Sequence, residues 1–363
     1  MRIAIFDVML KENYNVIGVM SGTSLDGVDL AHIHFSIKNE KWSFEIIESE
    51  TIGYVQGWVS RLKTAVGFSE DELLYLNRDY TVLLGTIISD FITKYGIKDL
   101  DAVCSHGHTV LHQPQNGFTL QIGNLPEIAS FVQQTVVCDF RVQDVEMGGQ
   151  GAPLVPIGDR ILFPDYDYCL NLGGFSNVSF EEDGERIAFD ISAVNTVLNF
   201  YANQLGFDYD DKGLISGRGV IHHELLSELN ELPFYKKTYP KSLGFEFVRE
   251  VLLPMIDGYS LPVQDVLRTF TEHIAVQIAL ALHKKEGRIL VTGGGAYNDF
   301  LIERLRTYLP EMTIVIPDKK LLEFKEALIF GLLGVLRLRG EVNVLSSVTG
   351  AERDHCSGQL FLS

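Results

Sequence analysis

The stretch Gly18-Val-Met-Ser-Gly-Thr-Ser-Leu-Asp-Gly-Val-Asp29 lies between an apolar run, Val16-Ile17, and an alternating one, Val28-Asp-Leu-Ala-His-Ile-His-Phe35. That pattern predicts the tip of a hairpin between two buried strands. Gly18, Gly22 and Gly27 let the backbone turn tightly and approach another molecule without Cβ interference. A tip with free backbone N–H groups and the hydroxyls of Ser21, Thr23 and Ser24 makes a nest for anionic oxygens, and Asp26 and Asp29 could hold a divalent ion beside it. Candidate phosphate contacts are therefore Gly22, Thr23, Ser24, Leu25, Asp26, Gly27, Val28 and Asp29, with Asp26 the candidate ligand for Mg²⁺. An ordinary Gly/Ser turn accounts for this segment alone equally well.

At 363 residues the chain exceeds what one core usually serves, so two domains are expected, with a cleft between them as the default ligand site. Apolar residues make up 46% and charged residues 21%, as in a soluble globular enzyme. The net charge of −18 and the lack of a Lys/Arg cluster argue against a nucleic-acid or anionic-membrane partner. An anionic nucleotide must then be held by local N–H groups, hydroxyls and metal against an unfavourable global field. Cys104, Cys138, Cys169 and Cys356 show no CxxC pair or zinc spacing and read as free thiols of a reducing cytoplasm. No signal-peptide pattern opens the chain, and the apolar run Ala327–Arg337 is too short to span a bilayer, so it reads as a buried helix.

Residues 1 to 10 read either as a short extra strand or as a leader. After the hairpin, a strand is expected around Ser43 to Ser49, helices over Trp58 to Ala65 and Ser69 to Lys94, and a strand Asp101 to His106 that ends at a polar loop, Gly107 to His112. Strand Thr119 to Ile122 leads to a helix near Pro126, and strand Thr135 to Asp139 delivers Phe140-Arg141 and a loop, Asp144 to Pro153. The second half opens as the first does: Asp167-Tyr-Cys-Leu-Asn-Leu-Gly-Gly-Phe-Ser-Asn-Val-Ser-Phe180 is again strand, tip, strand, and Arg186 to Asp190 continues the meander. A helix over Thr271 to Lys285 precedes a third glycine cluster, Thr292-Gly-Gly-Gly-Ala-Tyr-Asn298, which ends a buried strand and opens the helix Asp299 to Tyr308. Each cluster alone reads as a tight strand-to-helix turn; three at strand ends point to a nucleotide. Two hairpins would grip the phosphate tail of ATP, with Asn171, Gly173, Gly174 and Asn177 at the second, and Gly293, Gly294 and Gly295 would carry base and sugar.

No GxxxxGK[ST], GxSxG or HExxH run occurs, and Gly213 to Gly219 follows no strand. What remains is an α/β, actin-like ATPase (ribonuclease H-like) architecture of two domains with mixed sheets around a central nucleotide and sugar cleft. The boundaries read from the sequence are 1–140 for the first domain, with residues about 345–363 packing back on it, and 141–344 for the second.

Several runs together resemble one family. They are Gly18–Asp29, Ser105-His-Gly, Thr119-Leu-Gln-Ile-Gly, Asp139-Phe-Arg-Val-Gln-Asp144, Gly148-Gly-Gln-Gly-Ala-Pro-Leu-Val-Pro156, Asn171-Leu-Gly-Gly-Phe-Ser-Asn177, Pro240-Lys-Ser-Leu-Gly244, Thr292–Asn298 and Thr349-Gly-Ala351. They resemble the anhydro-N-acetylmuramic acid kinases, in the right order over nearly the whole chain. The resemblance implies a homodimer in peptidoglycan recycling that uses ATP and Mg²⁺ to open the 1,6-anhydro ring and phosphorylate O6. By the same resemblance Asp190 matches the catalytic base, Arg141, Asp144 and Gln150 fall in the sugar-pocket loops, and Glu326 matches an acidic residue near the sugar.

Bland alternatives stand beside these roles: a helix cap for Asp190, a surface ion pair for Arg141, and a favourable helix-dipole contact for Glu326. The chain also departs from the family pattern. Phe189-Asp-Ile-Ser-Ala-Val-Asn195 lacks the glycines usual between the Asp and the Asn, Asn199 and Asn124 replace acidic residues, and His108 stands in Ser105-His-Gly-His-Thr109 where Gln is usual. Two readings of different class follow, a sugar kinase with a coupled hydrolase step and a nucleotide-binding relative without turnover.

Overall fold

The computed structural model describes residues 11–22 and 25–363; the leading segment 1 to 10 and Thr23-Ser24 lie outside the described residues. By contacts the chain divides into two units, residues 1–162 with 324–363, and residues 163–323.

In the first unit the quoted stretch does turn a hairpin. Strand β1 (Asn13–Ser21) pairs antiparallel with β2 (Gly27–Lys38), which pairs with β3 (Lys41–Gly53). Strand β4 (Ala102–Gln113) then adds parallel to β1, with β5 (Phe118–Ile122) paired to its outer half, and β6 (Val136–Cys138) adds parallel to β4. In the second unit β7 (Tyr168–Leu172), β8 (Phe175–Glu182) and β9 (Glu185–Ala193) form the same antiparallel meander. There β10 (Gly287–Thr292) lies parallel to β7, and β11 (Met312–Val315) parallel to β10. A last strand, β12 (Gln359–Phe361), pairs with β6 of the first unit. The first sheet thus runs β3-β2-β1-β4-β6-β12 with β5 set off beside β4, and the second runs β9-β8-β7-β10-β11; leaving out β5 and β12, both follow the ribonuclease H-like order used twice in actin-like ATPases.

Local chemistry explains the helices. Ser69 caps Glu70–Tyr95 in a capping box with Glu72, Gly96 ends it in the left-handed region, and its apolar face from Leu73 to Phe91 covers Ile17, Val19, Val28 and Leu30. On the opposite face of β1, Gly18 meets the helix Lys319–Arg339 so closely that a Cβ would lie 1.9 Å from the Ala327 carbonyl oxygen. Gly18→Ala should therefore cost at least about 1–3 kcal/mol, since backbone must shift to admit the methyl. Urea unfolding measures this, and an unchanged midpoint would show that the packing tolerates a side chain there.

Several elements differ from expectation. Gly107 to His112 is not a loop but the outer half of β4, because β5 returns beside it and supplies hydrogen-bonding partners for polar residues that sequence alone reads as a turn. Val142–Glu146 is a short helix that takes in the start of the expected Asp144 to Pro153 loop. The helix expected at Thr271 to Lys285 spans Val263–Ala281: Pro262 precedes it, and Lys284 is drawn toward β7 by its N–H to the Tyr168 hydroxyl and its Nζ to Asp167. The boundaries at 140 and 344 are replaced by 162 and 323. Residues 141–162 pack with the first unit through Asp144 on Thr349, Lys325 on Asp159 and Gly158 against Ile329.

Candidate active site

In the first unit, Met20, Ser21, Gly22, His106, Thr109, His112, Arg141, Ala152 and Glu326 line a cavity of about 390 Å³. Arg141 is fixed at its wall. Its Nε–H donates to His106 Nε2 at 2.8 Å and its Nη1 donates to the Gly151 carbonyl at 2.6 Å. Burial and the neighbouring guanidinium push His106 well below the usual histidine range, so the ring is neutral and Nε2 accepts. The proton then sits on Nδ1, which is 3.0 Å from the Gly107 carbonyl and donates to it. Burial pushes Arg141 down to about 10, opposed by Glu326 and Asp144, so the guanidinium stays charged at neutral pH. Among the described residues no carboxylate forms an ion pair with it. Burial raises the Glu326 carboxyl, with Arg141 opposing and Asp29 and Asp26 reinforcing; the side chain is accessible from the cavity yet ringed by protein.

Asp144 does not join this wall, contrary to its expected sugar-binding place. It is fully buried, its Oδ2 accepts from Gly151 N–H at 2.7 Å and its Oδ1 from the Thr349 hydroxyl at 2.7 Å. Its role is to fold the loop that presents Gly151 to Arg141. Gln150 is exposed and is not among the cavity-lining residues; its N–H donates to the Thr349 carbonyl. Sequence reasoning gave no site role to His106, Thr109 or His112, although the polar alternation of β4 was the available signal; Ser21, read there as a hydroxyl of the tip, lines the cavity. Ser21 joins a buried chain of hydroxyls, 2.6 Å from the Tyr54 hydroxyl and 2.8 Å from His108 Nδ1, with Tyr54 2.5 Å from Tyr80. Burial pushes His108 down to about 4, which keeps this ring neutral.

At the first glycine tip, Gly22 lines the cavity and its carbonyl accepts from Leu25 N–H. The Val28 side chain is core, so only its backbone is available to a ligand, and Gly27 packs on the Ile52 carbonyl. Asp26 is exposed, and Asp29 accepts from the Thr51 hydroxyl at 2.6 Å.

In the second unit, register decides the site. Thr292, Asn171, Asn177 and Asp190 are successive cross-strand partners on β10, β7, β8 and β9, so they share one face in a polar row. The neighbouring row, Val291, Leu170, Val178 and Phe189, enters the core from the other face. A bulge between Ser176 and Asn177 leaves Ile191 as the extra residue directly after Asp190, a place where bulges re-aim side chains. The residues that replace the usual glycines, Ile191 to Val194, are all buried, and the first three complete β9. Asp190 caps no helix: the next one, Asn195–Gln204, has Val194 at its cap without a side-chain bond. Burial raises the Asp190 carboxyl, and a 2.8 Å bond from Leu243 N–H opposes this.

The second and third glycine clusters converge. Gly293 has φ +83° and lies where a Cβ would be 2.5 Å from Asn171 Oδ1, and Gly295 packs on Leu172. Asn195 Nδ2 donates to the Leu172 carbonyl, and Gly174 accepts from the Thr196 hydroxyl. The Gly173-Gly174 turn and the Gly293–Gly295 turn therefore form one backbone-lined patch suited to phosphate and sugar oxygens.

The profile of the family described as anhydro-N-acetylmuramic acid kinase matches residues 14–363. The protein named anhydro-N-acetylmuramic acid kinase in Mannheimia succiniciproducens is 34% identical over 379 residues, 97% of this chain and 100% of that one. Its namesake in Pseudomonas putida is 35% identical over 372 residues, 95% and 98% of the two chains, and that of Shewanella sediminis is 33% identical over 373 residues, 97% and 99%. With the family match running through both glycine hairpins, the Arg141 loop and the strand that carries Asp190, the chain belongs to the anhydro-N-acetylmuramic acid kinase family.

Proposed function

We propose that the chain is an ATP-dependent kinase that opens the 1,6-anhydro ring of anhydro-N-acetylmuramic acid with water and phosphorylates O6, giving N-acetylmuramic acid 6-phosphate. The observation that carries this is Asp190, a half-buried carboxylate on the polar row with Asn177 and Asn171, its proton affinity raised by burial. Asp190 removes a proton from water as the water oxygen bonds to C1. The C1–O6 bond breaks, and O6 takes the γ-phosphoryl group of ATP, releasing ADP. Such a transfer is governed by positioning and charge stabilisation, which the turns at Gly22 and Gly173 supply through backbone N–H groups. Gly293 to Gly295 carry the adenosine. Mg²⁺ takes one or two carboxylates and phosphate oxygens, and exposed Asp26 with Asp29 nearby would offer such a donor set, the ion supplying neutralisation of phosphate charge.

Arg141 pairs with the lactyl carboxylate of the sugar, since a fixed guanidinium without an internal carboxylate partner calls for an anion. Glu326 and His112 bound the same cavity. Arg141→Ala should raise KM for the muramic substrate about tenfold and leave KM for an analogue without the lactyl group nearly unchanged. Equal losses on both would return Arg141 to holding the Gly151 loop.

No described helix is long and apolar enough to cross a membrane, and the four cysteines are free. We infer from the family a cytoplasmic homodimer acting on small molecules in peptidoglycan recycling, and the charge of −18 weighs against nucleic-acid or anionic-membrane partners. Turnover in ¹⁸O-water, quenched before the anomeric hydroxyl exchanges, tests the reaction. Label belongs on C1 and none on the phosphate ester. Unlabelled C1 would make this an ordinary sugar kinase, and ATP binding without turnover would make it a nucleotide-binding relative.

A further inference from the structure

Asp190 stands on β9, the edge strand of the five-stranded sheet. An edge strand presents unpaired N–H and C=O groups, and here the chain's own segment Tyr239–Leu243 meets that edge at Asp190. Asp190 N–H donates to the Lys241 carbonyl at 3.1 Å, and Leu243 N–H donates to Asp190 Oδ2 at 2.8 Å. Two residues earlier the Tyr239 ring stacks on Phe189, with centroids 5.2 Å apart and planes 11° from parallel, while its hydroxyl donates to Glu182. Lys241 completes the attachment. Its Nζ lies 5.0 Å from the centre of the Phe234 ring and 5.7 Å from that of Phe189. Among the described residues no carboxylate forms an ion pair with this half-buried ammonium, so the aromatic faces are its counter-charge.

We propose that Tyr239–Leu243 is a positioning strap for the base: Leu243 N–H fixes the aim of the Asp190 carboxylate, and Lys241, seated over Phe189 and Phe234, holds the strap against β9. The inference rests on Asp190 being the base. It gives a task to the run Pro240-Lys-Ser-Leu-Gly244, whose place in the family pattern is otherwise unexplained. With Oδ2 held, no described donor reaches Oδ1, which is left to take the proton from water. Two influences set the basicity of the carboxylate, burial raising it and the Leu243 N–H lowering it. Losing that N–H must therefore raise it further.

The test compares kcat against pH, measured by ADP release with the anhydro sugar, in variants of the full chain. Replacing Leu243 by its α-hydroxy analogue turns the amide into an ester and deletes the N–H alone. This should move the acid limb of kcat up by about one pH unit and lower the plateau about tenfold, with KM for ATP unchanged. Lys241→Met keeps the aliphatic stem over the rings and loses the charge; it should shift both in the same direction by less, and Lys241→Arg should restore them. An unmoved limb and plateau in the ester, with Asp190→Asn inactive, would overturn the strap and leave the base. A fall in thermal stability with the limb unmoved would equally reduce the segment to packing. Near-native kcat in Asp190→Asn would overturn the assignment of the base itself, whatever the strap variants do.

Discussion

Asp190→Asn is expected to lower kcat by about two to four orders of magnitude, the share that a positioned general base usually contributes. The substitution keeps the shape of the side chain, and its Oδ1 can still accept from Leu243 N–H, so the strand and its bulge should survive. ATP affinity should change little, because the glycine turns, rather than the carboxylate, are the proposed holders of phosphate. The same residue sets a sign for pH. A base acts only when ionised, and burial raises the Asp190 carboxyl above the ordinary aspartate value, so activity should fall with decreasing pH earlier than for an exposed aspartate. Rapid-quench turnover between acid and neutral pH measures both effects. Near-native kcat in the variant, or a wild-type profile flat through the acid range, would remove Asp190 from the chemistry.

Gly22→Val should weaken ATP binding about ten- to a hundredfold, the loss of one or two hydrogen bonds to a charged phosphate. Gly22 lies on the cavity wall between the end of β1 and the start of β2, where a branched side chain would stand between backbone N–H groups and an approaching oxygen. The β1–β2 pairing runs from Asn13↔Ser36 to Met20↔Asp29 without this residue, so the fold should persist. Titration calorimetry with a non-hydrolysable ATP analogue reads the effect directly. Native affinity in a folded variant would leave the tip as a turn and nothing more.

Much of this was legible without coordinates because it is local. A hairpin tip with glycines at Gly18, Gly22 and Gly27, a helix opening near Ser69, the apolar run of β1 and the alternation along β2 are each decided within a few residues by backbone sterics and solvent exposure. The repeated meander followed from the same cues, and with it the fold. The candidate site was legible only where family motifs mark it. Arg141 and Glu326 were named from family motifs and stand on one cavity, but Asp144 was named with them and turned inward. Three residues from Arg141 in sequence, its carboxylate is claimed by Thr349, 205 residues away, and no local pattern carries that pairing.

His106, Thr109 and His112 escaped notice for the same reason: only the return of β5 makes their segment a strand instead of a loop. The row that joins Asn171, Asn177 and Asp190 is a matter of register, and one bulge at Ile191 sets which side chains share a face. Sequence by itself determined most of the strands, tips and helices, since those depend on neighbours along the chain. Tertiary structure alone decided which polar groups spend themselves on one another and which remain for a ligand, because a buried polar group must find a partner and the packing of the whole chain sets which distant group that is.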